Sequence, residues 1–255
     1  MVKILPGTIL GYCVLSLMVC GCGPGETPVA QTDGESKEVA GDVQPRVERV
    51  LTQAEQDQLT PDQVLETLRD GNQRFTSGTL TSRDHSKQVR EAALGQFPKA
   101  VILSCVDSRI PVEDVFDRGI GDIFVARVAG NFENTDILGS MEFACKVSGA
   151  KLVFVLGHES CGAVRGAIDG VELGNITEML ANIRPAVDHF TDYEGDKTSS
   201  NKEFVQMVAK QNVRETVENI RTYSPILKQM EADGDIKIVG GIYAMETGEV
   251  ELLQD

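Results

Sequence analysis

The chain has no tryptophan, and only four Tyr, nine Phe and three His among its 255 residues. Positive charge is also scarce: 24 Lys and Arg stand against 39 Asp and Glu, a net charge of −15. A phosphate backbone needs a basic face, so nucleic acid is excluded as a partner. An anionic membrane surface repels such a chain too, which leaves only apolar or covalent attachment. No G-x-G-x-x-G, Walker or G-x-S-x-G run occurs, so nucleotide-binding and serine-hydrolase readings have no support. Hydrophobic residues nonetheless make up 41% and charged residues 25%, which excludes wholesale disorder. At this length one domain can bury a real core.

Aromatic side chains are missing altogether between Tyr12 and Phe75. Residues 23–59, with Gly, Pro, Glu, Gln and Thr in their place, cannot bury enough surface to offset their ordering entropy. They read as a flexible tether spanning 22–59, the alternative being an irregular arm packed on the domain near 47–51. Ahead of them Lys3 is the only charge before Glu26, and residues 4–19 are largely apolar, interrupted by Pro6, Gly7 and Gly11. That describes an export signal over residues 1–21. Its end, Val19-Cys20-Gly21-Cys22, resembles a bacterial lipoprotein signal in which Cys22 receives the lipid. The alternative, an uncleaved anchor helix, is weakened by the early Pro and Gly. The expected mature protein is exported, periplasmic or at the cell surface, and touches the membrane only through its N-terminal lipid.

Placing the six Cys removes a disulfide framework. Cys13 and Cys20 leave with the signal and Cys22 carries lipid, so only Cys105, Cys145 and Cys161 lie in the domain expected over 60–255. That domain opens with a helix: Thr60 is its N-cap, Pro61 suits the first position and Gln63 completes a capping box. Val64, Leu65, Leu68 and Phe75 give it one apolar face. Residues 100–104, 123–128 and 152–156 are continuous β-prone runs, as expected for strands buried on both faces. Helical stretches at 112–116 and 137–147 separate them, and such alternation predicts an α/β fold with a mainly parallel sheet flanked by helices. Further helices are expected at 175–190, where Pro185 kinks or splits the run, and at 203–223. A C-terminal hairpin over 236–243 and 249–253, turning at Glu246-Thr247-Gly248, extends the sheet. Cys145 falls on the apolar face of the 137–147 helix and reads as a buried hydrophobe. His85 and His189 read as surface residues.

Two strands end in metal-ligand residue types. The first delivers Cys105, followed by Asp107 and Arg109; the second delivers His158, with Cys161 three residues on. In open parallel sheets ligands gather outside the carboxyl ends of the strands, so both sets arrive on one edge. Two thiolates and an imidazole suit Zn²⁺, and three protein ligands leave a fourth position for water or substrate. A Cys105–Cys161 disulfide is the competing reading.

Cys105-Val106-Asp107-Ser108-Arg109 and Gly157-His158-Glu159-Ser160-Cys161-Gly162-Ala163 resemble the two signature motifs of β-class carbonic anhydrases. Arg127-Val128-Ala129-Gly130-Asn131 and Gly240-Gly241-Ile242-Tyr243 with Glu246-Thr247-Gly248 extend the resemblance over roughly residues 60–254. It implies one zinc per subunit on Cys105, His158 and Cys161, and reversible hydration of CO₂ to bicarbonate. It also implies that Asp107 orients the reacting water and that Arg109 keeps Asp107 ionised and off the metal. From plant-type members it implies a substrate pocket with Gln96, Phe124 and Phe143, the last at a position where Tyr is frequent, and Gly162 near the bound anion. The family also implies a homodimer or homotetramer with its active sites at the interface. One subgroup closes the fourth zinc position with the aspartate and builds a bicarbonate pocket around a Trp three residues before the first cysteine. Here that residue is Ile102, so an open site is expected, with Asp107 as fourth ligand only in a closed state. Hydrolysis of COS or CS₂ on the same scaffold, and a non-catalytic zinc-stabilised surface protein, are the alternatives.

Overall fold

The computed structural model describes Val47–Gln254; residues 1–46 and Asp255 lie outside the described residues, and with them the signal, Cys22 and most of the tether. Three helices come first: α1 (Gln53–Asp57), α2 (Pro61–Thr76) and α3 (His85–Ala92). Strands β1 (Ala100–Ser104), β2 (Ile123–Arg127) and β3 (Leu152–His158) follow, with α4 (Val112–Val115) and α5 (Thr135–Glu142) between them. Helices α6 (Gly162–Ile168), α7 (Asn175–Ala181), α8 (Arg184–Asp188), α9 (Lys202–Tyr223) and α10 (Pro225–Ala232) precede β4 (Lys237–Tyr243) and β5 (Val250–Leu252). The sheet runs β2-β1-β3-β4-β5, with all pairs parallel except the closing β4–β5 hairpin.

Strand alternation splits the core in two. Val101, Leu103, Val153 and Val155 face α9 and α10 through Val213, Val217, Ile220 and Leu227. Ile102, Leu152, Phe154 and Leu156 face α2 and the α4 segment through Val64, Leu68, Val115 and Phe116. Both faces of β1 and β3 are therefore dry, which is why their sequences run apolar without alternation. Glycine sets how close α9 comes: a Cβ at Gly157 or Gly240 would meet Val213 methyls at 2.5 Å. Among the described residues no helix is long and apolar enough to cross a membrane.

Several expectations shift. The domain starts before residue 60: Thr52 caps α1, and buried Gln56 donates from Nε2 to the Pro98 and Ser148 carbonyls at 2.7 and 2.8 Å. The tether expected to reach residue 59 thus gives way to packed chain by then, because one amide satisfies two carbonyls of the sheet's connections. The 137–147 helix begins at Thr135, where Asn134 caps it, and ends in a π-helical turn over Phe143–Val147. The 175–190 helix is split, with Pro185 in the first turn of α8. The Thr60 capping box forms as expected.

Candidate functional site

Cys105 leaves the carboxyl end of β1, His158 ends β3, and Cys161 sits at the entry of α6. The parallel β1–β3 register brings them to one sheet edge. All three are buried, and their donor atoms lie within 4.8 Å of one another. The sulfurs stand 4.0 Å apart as free thiols, so the disulfide reading is not the one realised. Two sulfurs about 2.3 Å from a tetrahedral ion would be separated by about 3.8 Å. His158 is fully buried; its Nδ1 donates to the Glu159 carbonyl at 2.9 Å, while Nε2 has no partner. That hydrogen bond selects the tautomer with a lone pair on Nε2, the form a metal requires.

The thiol pair is polarised. The S–H contact from Cys161, with help from the Gly130 N–H, draws the Cys105 thiol well below its usual range, against its burial. The same contact, with burial, pushes the Cys161 thiol up. A cation held by both sulfurs would favour the thiolate form of each. Cys145, by contrast, is raised to about 12 by burial alone and behaves as a hydrophobe.

Beside the donors, Arg109 forks onto Asp107: Nε to Oδ1 at 2.9 Å and Nη2 to Oδ2 at 2.8 Å. This holds the Asp107 carboxyl well below the usual carboxylate range and raises Arg109 in turn. A bidentate pair occupies both oxygens and turns the carboxylate toward the guanidinium. Gly162 opens α6 and is exposed, and a Cβ built there meets nothing within 4 Å.

The pocket residues lie elsewhere. Phe124 pairs with Val101 in the β2–β1 register, four residues short of Cys105, about 13 Å along a strand. Phe143 packs edge-on against Phe124 at 6.2 Å and is half exposed. The two line a cleft of ≈ 660 Å³ with Val101 and Ile137. Gln96 is exposed and precedes the amino end of β1. Within one chain these three do not meet the Cys-His-Cys cluster.

Three supporting residues carry no role in the sequence reading. Arg127 donates to the carbonyls of Cys105 (2.8 Å), Asp107 (2.6 Å) and Ile110 (3.1 Å), pinning the segment that carries the first donor. Glu159 accepts from Gln206 Nε2 at 3.3 Å and from the Met245 N–H at 3.1 Å, bracing a turn whose Ser160 has φ +54°. Asn212 reaches Gly130 from α9. Arg127 lies inside a motif run and was open to suspicion on that ground. Glu159 likewise lies inside a motif run; nothing local marks Asn212, whose partner is distant in sequence.

Residues 100–250 match the family described as carbonic anhydrase. "Carbonic anhydrase 2" of Mycobacterium tuberculosis is 36% identical over 191 residues, spanning 72% of this chain and 89% of that protein. The β-carbonic anhydrase CafA of Aspergillus fumigatus superposes with a TM-score of 0.60 at 27% identity, over 67% of this chain and 82% of its own. A β-carbonic anhydrase of Sordaria macrospora, one of two described as tetrameric, gives 0.57 at 25% identity, over 66% and 86%.

Proposed function

The chain belongs to the β-class carbonic anhydrases and catalyses the hydration of carbon dioxide to bicarbonate, and we propose that it does so with one zinc ion held by Cys105, His158 and Cys161. The observation that carries this reading is the buried Nε2 of His158, left without a partner within 4.8 Å of two thiols. A buried ring nitrogen with no partner is costly unless something binds it. The soft donor set suits zinc over magnesium or calcium. Zinc bound here supplies the Lewis acidity that lets water lose a proton near neutral pH.

Two thiolates cancel the formal charge of a dication, which leaves more of the work to the neighbours. Asp107 accepts a hydrogen bond from the reacting water and orients it. Arg109 keeps Asp107 ionised and holds both its oxygens, which would leave the fourth position on a bound zinc to water or substrate. Ile102, where the self-closing subgroup has Trp, supports the open form. The exposed backbone at Gly162 leaves room for the product anion.

Gln96, Phe124 and Phe143 act from a second copy of the chain. Their place at the amino end of β1 and β2, together with the half-exposed Phe143, supports a dimer that completes each site from both subunits, or a tetramer built from it. Cys22, outside the described residues, carries a lipid that anchors the exported enzyme.

Stopped-flow CO₂ hydration on purified, metal-analysed protein tests the assignment. Cys161→Ser and His158→Ala should each lose most of the zinc together with activity, since two remaining protein ligands hold it poorly. Full zinc and full activity in either variant would overturn the ligand set.

A further inference from the structure

Cys105 receives a hydrogen bond that no neighbouring residue in sequence supplies: the Gly130 N–H lies 3.3 Å from its Sγ. Gly130 sits in a turn after β2, with φ +90°, and Asn131 follows at φ +45°. A side chain there is strained: the positive φ favours glycine, and a Cβ would meet Ile183 Cδ1 at 2.4 Å. Glycine has little preference of its own for one backbone conformation, so the direction of this N–H must be held from outside. The hold comes from α9. Buried Asn212 donates from Nδ2 to the Gly130 carbonyl at 2.8 Å, 82 residues away in sequence. The helix can come this close because Val213, the next residue, rests on the bare backbone of Gly157 and Gly240.

We propose that Asn212 is a positioning residue for the metal site: by holding the Gly130 carbonyl it limits rotation about the Gly130 backbone, and so keeps the Gly130 N–H, one peptide earlier, on the Cys105 thiolate. The inference rests on the zinc reading above. An N–H on a thiolate withdraws electron density from the sulfur, which then donates less to the metal. In a site where two thiolates already cancel the dication, this bond preserves the Lewis acidity that hydration needs. Asn212 touches neither substrate nor metal and acts through Gly130.

Cobalt is the probe, because thiolate-to-cobalt charge transfer reports the sulfur's donor strength directly. In full-length, cobalt-substituted protein, Asn212→Leu should move that near-ultraviolet band to longer wavelength, because a thiolate freed of its N–H donates more charge to the metal. Asn212→Asp, nearly isosteric but with an oxygen facing the Gly130 carbonyl, should move the band the same way and serves if the leucine variant does not fold. Val213→Ala loosens the same helix contact without touching the hydrogen bond; it should lower the melting temperature and leave the band in place. A band unmoved in both Asn212 variants, or moved equally by Val213→Ala, would overturn the proposal alone. Absence of any thiolate band in the cobalt-loaded wild type would overturn the metal reading, and this inference with it.

Discussion

Arg109 and Arg127 stand close together and do different work. Arg109 binds a carboxylate at both oxygens, so its loss changes the charge and direction of Asp107. Arg109→Ala should free Asp107 to swing onto the metal and lower kcat by about 100-fold at neutral pH, within the usual range for a lost acid–base group. A metal-loaded crystal structure of the variant checks this by showing whether an Asp107 oxygen has become the fourth ligand. Arg127 binds three carbonyls and no carboxylate, so it holds shape and leaves Asp107 ionised. Arg127→Ala should cost about 10-fold in activity through a looser 105–110 segment, with Asp107 still paired to Arg109. Zinc content and the crystal structure separate the two outcomes: in the Arg127 variant the Asp107–Arg109 fork stays and the ligand segment shifts.

Between elements, one buried carboxylate ties the end of α2 and the segment before α3 to the loop after α4. Asp117, in the loop after α4, is fully buried and accepts from Arg83 and Arg74 at 2.5 Å and from the Thr81 hydroxyl at 2.6 Å. Burial works against its charge, but the bonds from Arg83, Thr81 and Arg74 outweigh it and hold the carboxyl at about 2. A carboxyl depressed in the folded state adds stability above its unfolded pKa of about 4. That contribution falls away as the pH drops from about 4 towards 2, where the folded form also takes up its proton. Denaturant melts of the wild type should therefore steepen their loss of stability across that window. Asp117→Asn should be weaker at pH 7 by about 3 kcal/mol, as for a buried ion pair broken on one side, and flatter between pH 4 and 2. Equal pH slopes in the two proteins would show that Asp117 does not carry the acid lability.

For the whole molecule, the proposed role of the pocket residues, which lie apart from the donor cluster of their own chain, would make assembly a condition of activity. Phe143 is the most exposed aromatic at that cleft, and a charge there cannot be buried between two apolar faces. Phe143→Glu should shift sedimentation from dimer to monomer and reduce CO₂ hydration in parallel, while zinc content stays whole because the ligands come from one chain. An active monomer would remove the need for a second copy. The proposed lipid anchor is the other question that belongs to the whole chain. Metabolic labelling with palmitate should mark the protein, and Cys22→Ser should abolish the label and release the enzyme from membranes. Label that survives the substitution would move the attachment to another cysteine.

Much of this protein was legible in one dimension because the forces involved act over a few residues. The Thr60 capping box, the β1 run at residues 100–104 and the Val205 to Ile220 stripe of α9 each follow from contacts within a turn or along one strand. The donor set was equally open, since strand ends carrying Cys105 and His158 must share an edge in a parallel sheet. The Ser224 cap and Pro225 of α10 repeat the Thr60 and Pro61 signal and could have been read the same way. Other features depend on what packing brings together. Gln56 looks like tether until it meets the Pro98 and Ser148 carbonyls, and Asn212 looks like any helix amide until α9 settles on Gly157 and Gly240. The position of Phe124 and Phe143, away from the donors of their own chain, is likewise a matter of register. Periodicity records which face of an element is apolar. Which polar group an amide finally meets is decided only when the elements close on one another, because that partner is selected by distance in space and carries no trace in neighbouring residues.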